Sequence, residues 1–122
     1  RLRRLWQARW HGRIKMKTDK QQWHKVFGVL YGHRFVWWAS EREFDLREPP
    51  LDGILFSGHS GLAGVSPLVL SEIGPQEQHL VVSVFGRGQT GQQKVNLLVP
   101  TAESKVLFED AVIDACSDAK IA

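Results

Sequence analysis

The side chains with the most chemistry to offer are cations, and they crowd the first third of the chain. Residues 1–40 carry ten Lys/Arg against one acid, a local charge of +9, whereas residues 41–122 carry six against twelve, a local charge of −6. The whole-chain charge of +3 conceals this division. Lys15 and Lys17 stand two apart in a stretch where polar and apolar residues alternate, so a strand would present both ammonium groups on one face. Lys20 falls in the polar loop that follows, Lys25 comes two residues after Trp23, and Arg34 follows a glycine turn. Brought together, such groups form a cradle for a phosphate, each contact a charge-assisted hydrogen bond. A positive face of this kind attracts a phosphate-rich partner over a Debye length, about 8 Å at physiological salt. The two candidates are a phosphoinositide membrane and a nucleic acid. The bland alternative is a solvated basic edge that only keeps the domain soluble.

Other chemistries are poorly supplied. The five histidines, His11, His24, His33, His59 and His79, lack tight metal spacing, and with one cysteine no zinc finger can be drawn. Ser57-Gly58-His59-Ser60-Gly61 contains Ser and His but no Gly-x-Ser-x-Gly, and the surrounding pattern lacks the strand-to-helix elbow that motif needs. Gly86-Arg87-Gly88-Gln89-Thr90-Gly91 looks like a phosphate loop but lacks the Lys-Ser/Thr ending and reads as a hairpin tip. No catalytic centre, metal or cofactor is expected. Nucleic-acid binding rests on charge and on the Arg/Trp interleaving of residues 1–10, without a helix-turn-helix, RRM or zinc signature. Cys116 reads as a reduced packing residue, in keeping with a cytosolic setting. No run of about 18 apolar residues is present, so no transmembrane helix is expected. The chain starts Arg1-Leu2-Arg3-Arg4 without Met, as a piece cut from a longer protein would.

The elements that must position the cations are mostly strands. Residues 10–17 alternate with period two; residues 23–31 and 35–39 are apolar and aromatic; Gly32 offers the positive φ of a tight hairpin. Residues 41–64 read as a long connection, broken by Pro49-Pro50 and four glycines, with a short strand near residues 54–56. Strands resume at 67–73, 79–85 and 94–99. After Pro100, with Thr101 or Ser104 as cap, residues 101–118 form an amphipathic helix. Val106, Leu107, Ala111, Val112 and Ala115 are expected near its docked face, with Phe108 at the edge. Residues 1–9 are a basic flank or linker, and residues 10–119 one domain.

This order, six or seven antiparallel strands and then one helix, resembles the pleckstrin homology (PH) domain, and the local motifs agree. Gly12-Arg13-Ile14-Lys15-Met16-Lys17 is similar to the family's opening Gly-x-hydrophobic-x-x-Lys. Trp23-His24-Lys25-Val26-Phe27-Gly28-Val29-Leu30-Tyr31-Gly32 is similar to its second strand, and Val36-Trp37-Trp38-Ala39-Ser40 to the end of its third. Val95 to Val99, a polar cap at 101–104 and an aromatic at Phe108 match the last strand and helix, although the family usually has Trp at that aromatic position. The resemblance covers residues 9–119. It implies a mainly β fold, a bent seven-stranded antiparallel partial barrel capped by the helix, which is shared with PTB and related domains and so does not fix function.

The resemblance also implies a role for the first hairpin: Lys15 and Lys17 as principal phosphate ligands, supported by Lys20, Lys25 and Arg34. Two departures stand out. The family's binding signature places an arginine three or four residues after the Trp, where this chain has Val26 and Phe27, and no apolar side chain replaces a bidentate guanidinium. A third-strand tyrosine is often a phosphate donor, and Trp38 stands there with an indole N–H instead. Trp37 and Trp38 alternate faces, so at most one is expected in the core and the other, Trp38, as a partner or membrane contact. Trp6 is a second such contact. The expected function is a membrane-targeting or adaptor domain of a larger signalling or trafficking protein, cytoplasmic and peripheral to anionic phosphoinositide membrane. The alternative is a PH-like protein-interaction module with no functional lipid site, engaging a partner through Trp38 or the 41–64 connection.

Overall fold

Period-two alternation at the front of the chain builds strands, as its spacing predicts. The structure is a computed structural model and describes residues 5–18 and 22–121. Seven strands form one antiparallel sheet: β1 (Ala8–Thr18), β2 (His24–Tyr31), β3 (Arg34–Trp38), β4 (Asp52–Leu55), β5 (Gly61–Ala63), β6 (Val81–Gly88) and β7 (Gly91–Leu98). Their order is β4-β3-β2-β1-β7-β6-β5, and a pairing of Leu55 with Arg87 joins β4 to β6 and closes the curl. Among the described residues there are three helices, α1 (Glu41–Asp45), α2 (Pro67–Ser71) and α3 (Ala102–Ile121), and a 3-10 turn at Gln78–Leu80. This is the helix-capped, bent seven-stranded partial barrel that the sequence resemblance implies. Gly32, at φ 53°, turns β2 into β3 in the left-handed conformation foreseen for it.

The interior is filled by alternate residues of the strands and sealed by α3. Trp10, Ile14 and Met16 point inward from β1, and Phe35 and Trp37 from β3. Helix α3 starts at a cap in which the Ser104 N–H donates to Thr101 Oγ1 at 3.0 Å. Phe108 is fully buried, edge-on to Trp10 at 4.9 Å and to Phe35 at 5.5 Å. Such edge-to-face aromatic pairs add specific geometry to a large burial. Ala111, Val112 and Ala115 complete the docked face. Val106 and Leu107, expected there, are each 56% exposed. The docked stripe is therefore rotated, with Phe108 at its centre and not its edge. Arg9 pins the far end of the helix through Asp118, at 2.5 Å.

Three further expectations are corrected. The stretch 67–73 is not a strand: Ser66 caps α2 by accepting from Val69 N–H at 3.2 Å, and Pro67 occupies the first turn, where its missing N–H costs nothing. A short apolar run does not by itself distinguish strand from helix. The seventh strand is instead β5, which pairs with β6 through Gly61–Ala63. The segment 41–64 is not mainly an open connection, since it carries α1, β4 and β5.

Because Phe108 plugs the barrel between two aromatic rings, Phe108→Ala should cost about 3–5 kcal/mol of folding stability. Leu107→Ala, one residue away but half exposed, should change stability by no more than about 0.5 kcal/mol. Urea unfolding of both variants checks the pair; equal losses would contradict the rotated stripe.

Candidate anion-binding site

The site begins with register. β1 and β2 pair so that Lys15 lies directly opposite Lys25, and Arg13 opposite Phe27. Directly opposed residues of an antiparallel pair share a face, so Arg13, Lys15, Lys17 and Lys25 all stand on the outer surface of the first hairpin. Lys15 and Lys25 are exposed, and no acid pairs with either among the described residues. On the other side of β1, Lys15 also faces Leu98 of β7.

A surface groove of about 570 Å³ runs over this row. Arg13, Lys15 and Lys25 line it from the hairpin, Arg42 comes from α1, and Leu98 and Pro100 form an apolar wall. Two acids are also present, Glu41 and Glu77. Glu41 accepts two bonds from Arg13, at 2.7 and 3.0 Å. The groove thus offers two ammonium groups without an acid partner among the described residues, a guanidinium already held by a carboxylate, and the Arg42 guanidinium. It is suited to an anion with several oxygens, approached from solvent.

The candidates named from sequence fall in different places. Lys15 and Lys25 come together. Lys17 shares their face but donates to both oxygens of Glu72, just past α2, at 2.5 and 2.6 Å. Lys20 lies outside the described residues. Arg34 does not join the group; it pairs with Tyr31 of β2 and with Leu55 of β4, six positions along β2 from Lys25 and so about 20 Å away along the strand. Trp6 is 88% exposed. Trp38 is corrected: it is 4% exposed, and its indole N–H donates to the Glu48 carbonyl at 2.7 Å. Both tryptophans of the pair are buried because the outer face of the hairpin is covered too. Helix α1 lays Phe44 edge-on to Trp38 at 4.9 Å and tilted on Phe27 at 5.2 Å, with Val29 and Val36 in the same cluster.

That outer cluster accounts for the missing arginine. Phe27 is part of it and Val26 faces the inner core, so both positions are committed to packing. Sequence reasoning passed over Arg13 and Arg42. Arg13 carried a signal, since it shares the period-two face of Lys15. Arg42 carried none, because only the docking of α1 brings it to the groove. No cluster of His, Cys, Asp or Glu able to hold a metal ion occurs among the described residues. Cys116 is half-buried against the core, and burial pushes its thiol up, away from reactivity.

The architecture is that of the PH-like superfold. Solved structures agree: the crystal structure of human FAM129B/MINERVA/NIBAN2 is similar over 88% of this chain at TM-score 0.65 and 11% identity. The solution structure of the PH domain of human pleckstrin homology domain-containing protein family A member 5 is similar over 90% of this chain and 77% of its own, at TM-score 0.57 and 16% identity. The chain spans about a fifth of the FAM129B/MINERVA/NIBAN2 chain. No protein-family model and no curated protein matches it. The likeness therefore defines the fold, a PH-like module. No helix among the described residues is long and apolar enough to cross a membrane.

The Lys17–Glu72 pair has a pH consequence. The Lys17 hydrogen bond holds the Glu72 carboxyl below the usual carboxylate range, against a smaller opposing effect of burial; the Trp23 indole adds a minor pull although it makes no well-formed hydrogen bond among the described residues. A carboxyl depressed on folding adds stability at neutral pH, and that stability is lost as the pH falls through its folded value. Thermal melts from pH 7 down to about pH 3 should show a steeper loss for the parent than for Glu72→Gln, with the two curves converging at the acid end. Parallel curves would mean the ion pair contributes nothing.

Proposed function

We propose that this domain targets its parent protein to anionic, phosphoinositide-containing membrane through the outer cations of the first hairpin. The observation that carries the reading is the Lys15–Lys25 pair. Like charges directly opposite each other across two strands are destabilising, and here no acid relieves them among the described residues. An anion bridging the two ammonium groups would turn that repulsion into binding energy. Arg13 and Arg42 flank the pair, so the groove supplies guanidinium groups although Val26 and Phe27 do not. The basic half of the chain adds long-range attraction, about 1 kcal/mol for each Lys or Arg near an anionic surface. In this setting the module is an adaptor, cytoplasmic and peripheral, in a signalling or trafficking protein.

A second reading is a protein-interaction module without a lipid site. It is favoured by Val26 and Phe27, which are buried where a lipid-binding signature would carry arginine.

Co-sedimentation with vesicles of neutral lipid, phosphatidylserine and each phosphoinositide, at physiological salt, separates the two. Binding to anionic vesicles is expected, weakened at least about tenfold in Lys15→Glu/Lys25→Glu with an unchanged melting curve. Preference for one phosphoinositide would indicate headgroup recognition in the groove; equal binding to all anionic vesicles, lost in high salt, would indicate attraction by charge alone. Parent-like binding by the double variant would remove the site, and no binding to any vesicle would transfer the function to a protein partner.

A further inference from the structure

Arg34, left apart from the hairpin cations, belongs to a different row. It lies directly opposite Leu55 on β4, and Leu55 lies directly opposite Arg87 on β6. Residues so paired share a face, so two guanidinium groups flank a leucine across three strands. Arg34 and Arg87 are both exposed and form no ion pair among the described residues. Two strand spacings separate them, about 10 Å.

The row borders a concave groove of about 330 Å³. Its apolar surface includes Leu51, 58% exposed, and Leu55, 46% exposed. Gly53 leaves its floor open: a Cβ there would meet Val36 Cγ1 at 2.7 Å, so the absence of a side chain is built into the packing. The one acid in the groove, Asp52, turns an oxygen onto the Gly53 N–H at 2.8 Å. That bond also occupies the N–H, so a ligand is held by side chains and not by strand addition to β4.

We infer that this groove docks an acidic, extended peptide segment of a partner protein, in which an apolar side chain sits between two carboxylates. The apolar residue packs on Leu51 and Leu55, and the flanking acids reach Arg34 and Arg87. Arginine's planar fork suits carboxylates in this role. Charge complementarity selects the occupant: cations without an ion pair among the described residues at both rims, apolar surface between. A concave floor fits a peptide side chain better than a planar membrane. This surface lies at the opposite end of β2 from Lys15 and Lys25, so it stands or falls independently of the membrane reading.

The test uses a fluorescein-labelled peptide in which a leucine is flanked on both sides by glutamates, followed by fluorescence anisotropy at physiological salt, where charges about 20 Å away are screened. Binding is expected, at least about tenfold weaker to Arg34→Glu/Arg87→Glu, weakened also by Leu55→Asp, and unchanged in Lys15→Glu/Lys25→Glu. Should the charge-reversed pair fail to fold, Arg34→Gln/Arg87→Gln replaces it. Parent-like binding by the arginine variants overturns the proposal, as does loss of binding in the lysine variant or equal binding of a peptide with lysines in place of the glutamates. Displacement of the peptide by anionic vesicles even from the Lys15→Glu/Lys25→Glu variant would assign the groove to lipid and also overturn it.

Discussion

The wedge of Phe108 between Trp10 and Phe35 is the constraint on which the rest of the structure depends. Trp10 belongs to the first strand, Phe35 to the third and Phe108 to the last helix. One buried ring thus ties together parts of the chain nearly a hundred residues apart in sequence. It fixes how α3 closes the barrel, and with it the orientation of β1. The strand must turn Trp10, Ile14 and Met16 inward to meet it. The same alternation then forces Arg13, Lys15 and Lys17 outward. A slip of one residue would bury three cations, so the packing of the plug and the exposure of the cations are one decision.

The outer face of the hairpin is not simply solvated. Helix α1 sets Phe44 on Phe27 and Trp38, making a second small core on the far side of the sheet. This core confines the cations to the part of the face that α1 leaves open. It also supplies two features of the groove's edge, Arg42 and the Glu41 carboxylate that holds Arg13. Acids sort the cations further. Arg13 and Lys17 are matched by Glu41 and Glu72, and Lys15 and Lys25 are left without a match among the described residues. Matched cations contribute mainly to local structure, and unmatched ones to the external field.

Strands with strict alternation or bounded by a glycine turn were legible in the sequence: β1, β2 and β3 fall within two residues of their expected limits, and Gly32 turns as its position required. A cap at Thr101 or Ser104 and α3 as a docked helix were legible for the same reason, local chemistry, and Thr101 is the one that caps. What failed was whatever depended on a neighbour. The apolar run in α2 has no period of its own, and its identity was set by Ser66 and Pro67 at its start. β5 is only three residues long and exists because β6 offers an edge. Alternation predicts two faces for Trp37 and Trp38 but cannot say that both are covered, as they are. Of the cation site, the face shared by Lys15 and Lys17 was legible. The opposition of Lys25 to Lys15 needed register and the capture of Lys17 needed α2, whereas the separation of Arg34 follows from the Gly32 hairpin, which sets it opposite Tyr31 at the far end of β2 from Lys25.

That separation gives the charge pattern its structural meaning. From sequence, a single basic front half suggests a single basic face. In three dimensions the cations divide between an end of the hairpin lined by Lys15 and Lys25 and a corner where β4 meets β6 beside Arg34 and Arg87. Of the acids of α3, Asp118 is engaged by Arg9, whose guanidinium also donates to the Gly32 carbonyl at the β2–β3 turn, and Asp110 and Asp114 are exposed. The strands thus carry cations without an acid partner among the described residues, whereas α3 carries five acids against two lysines. This uneven charge acts over distances near the Debye length, about 8 Å at physiological salt. The helix that closes the core is thus also the most acidic element, so core packing and the distribution of charge follow from the same placement of α3.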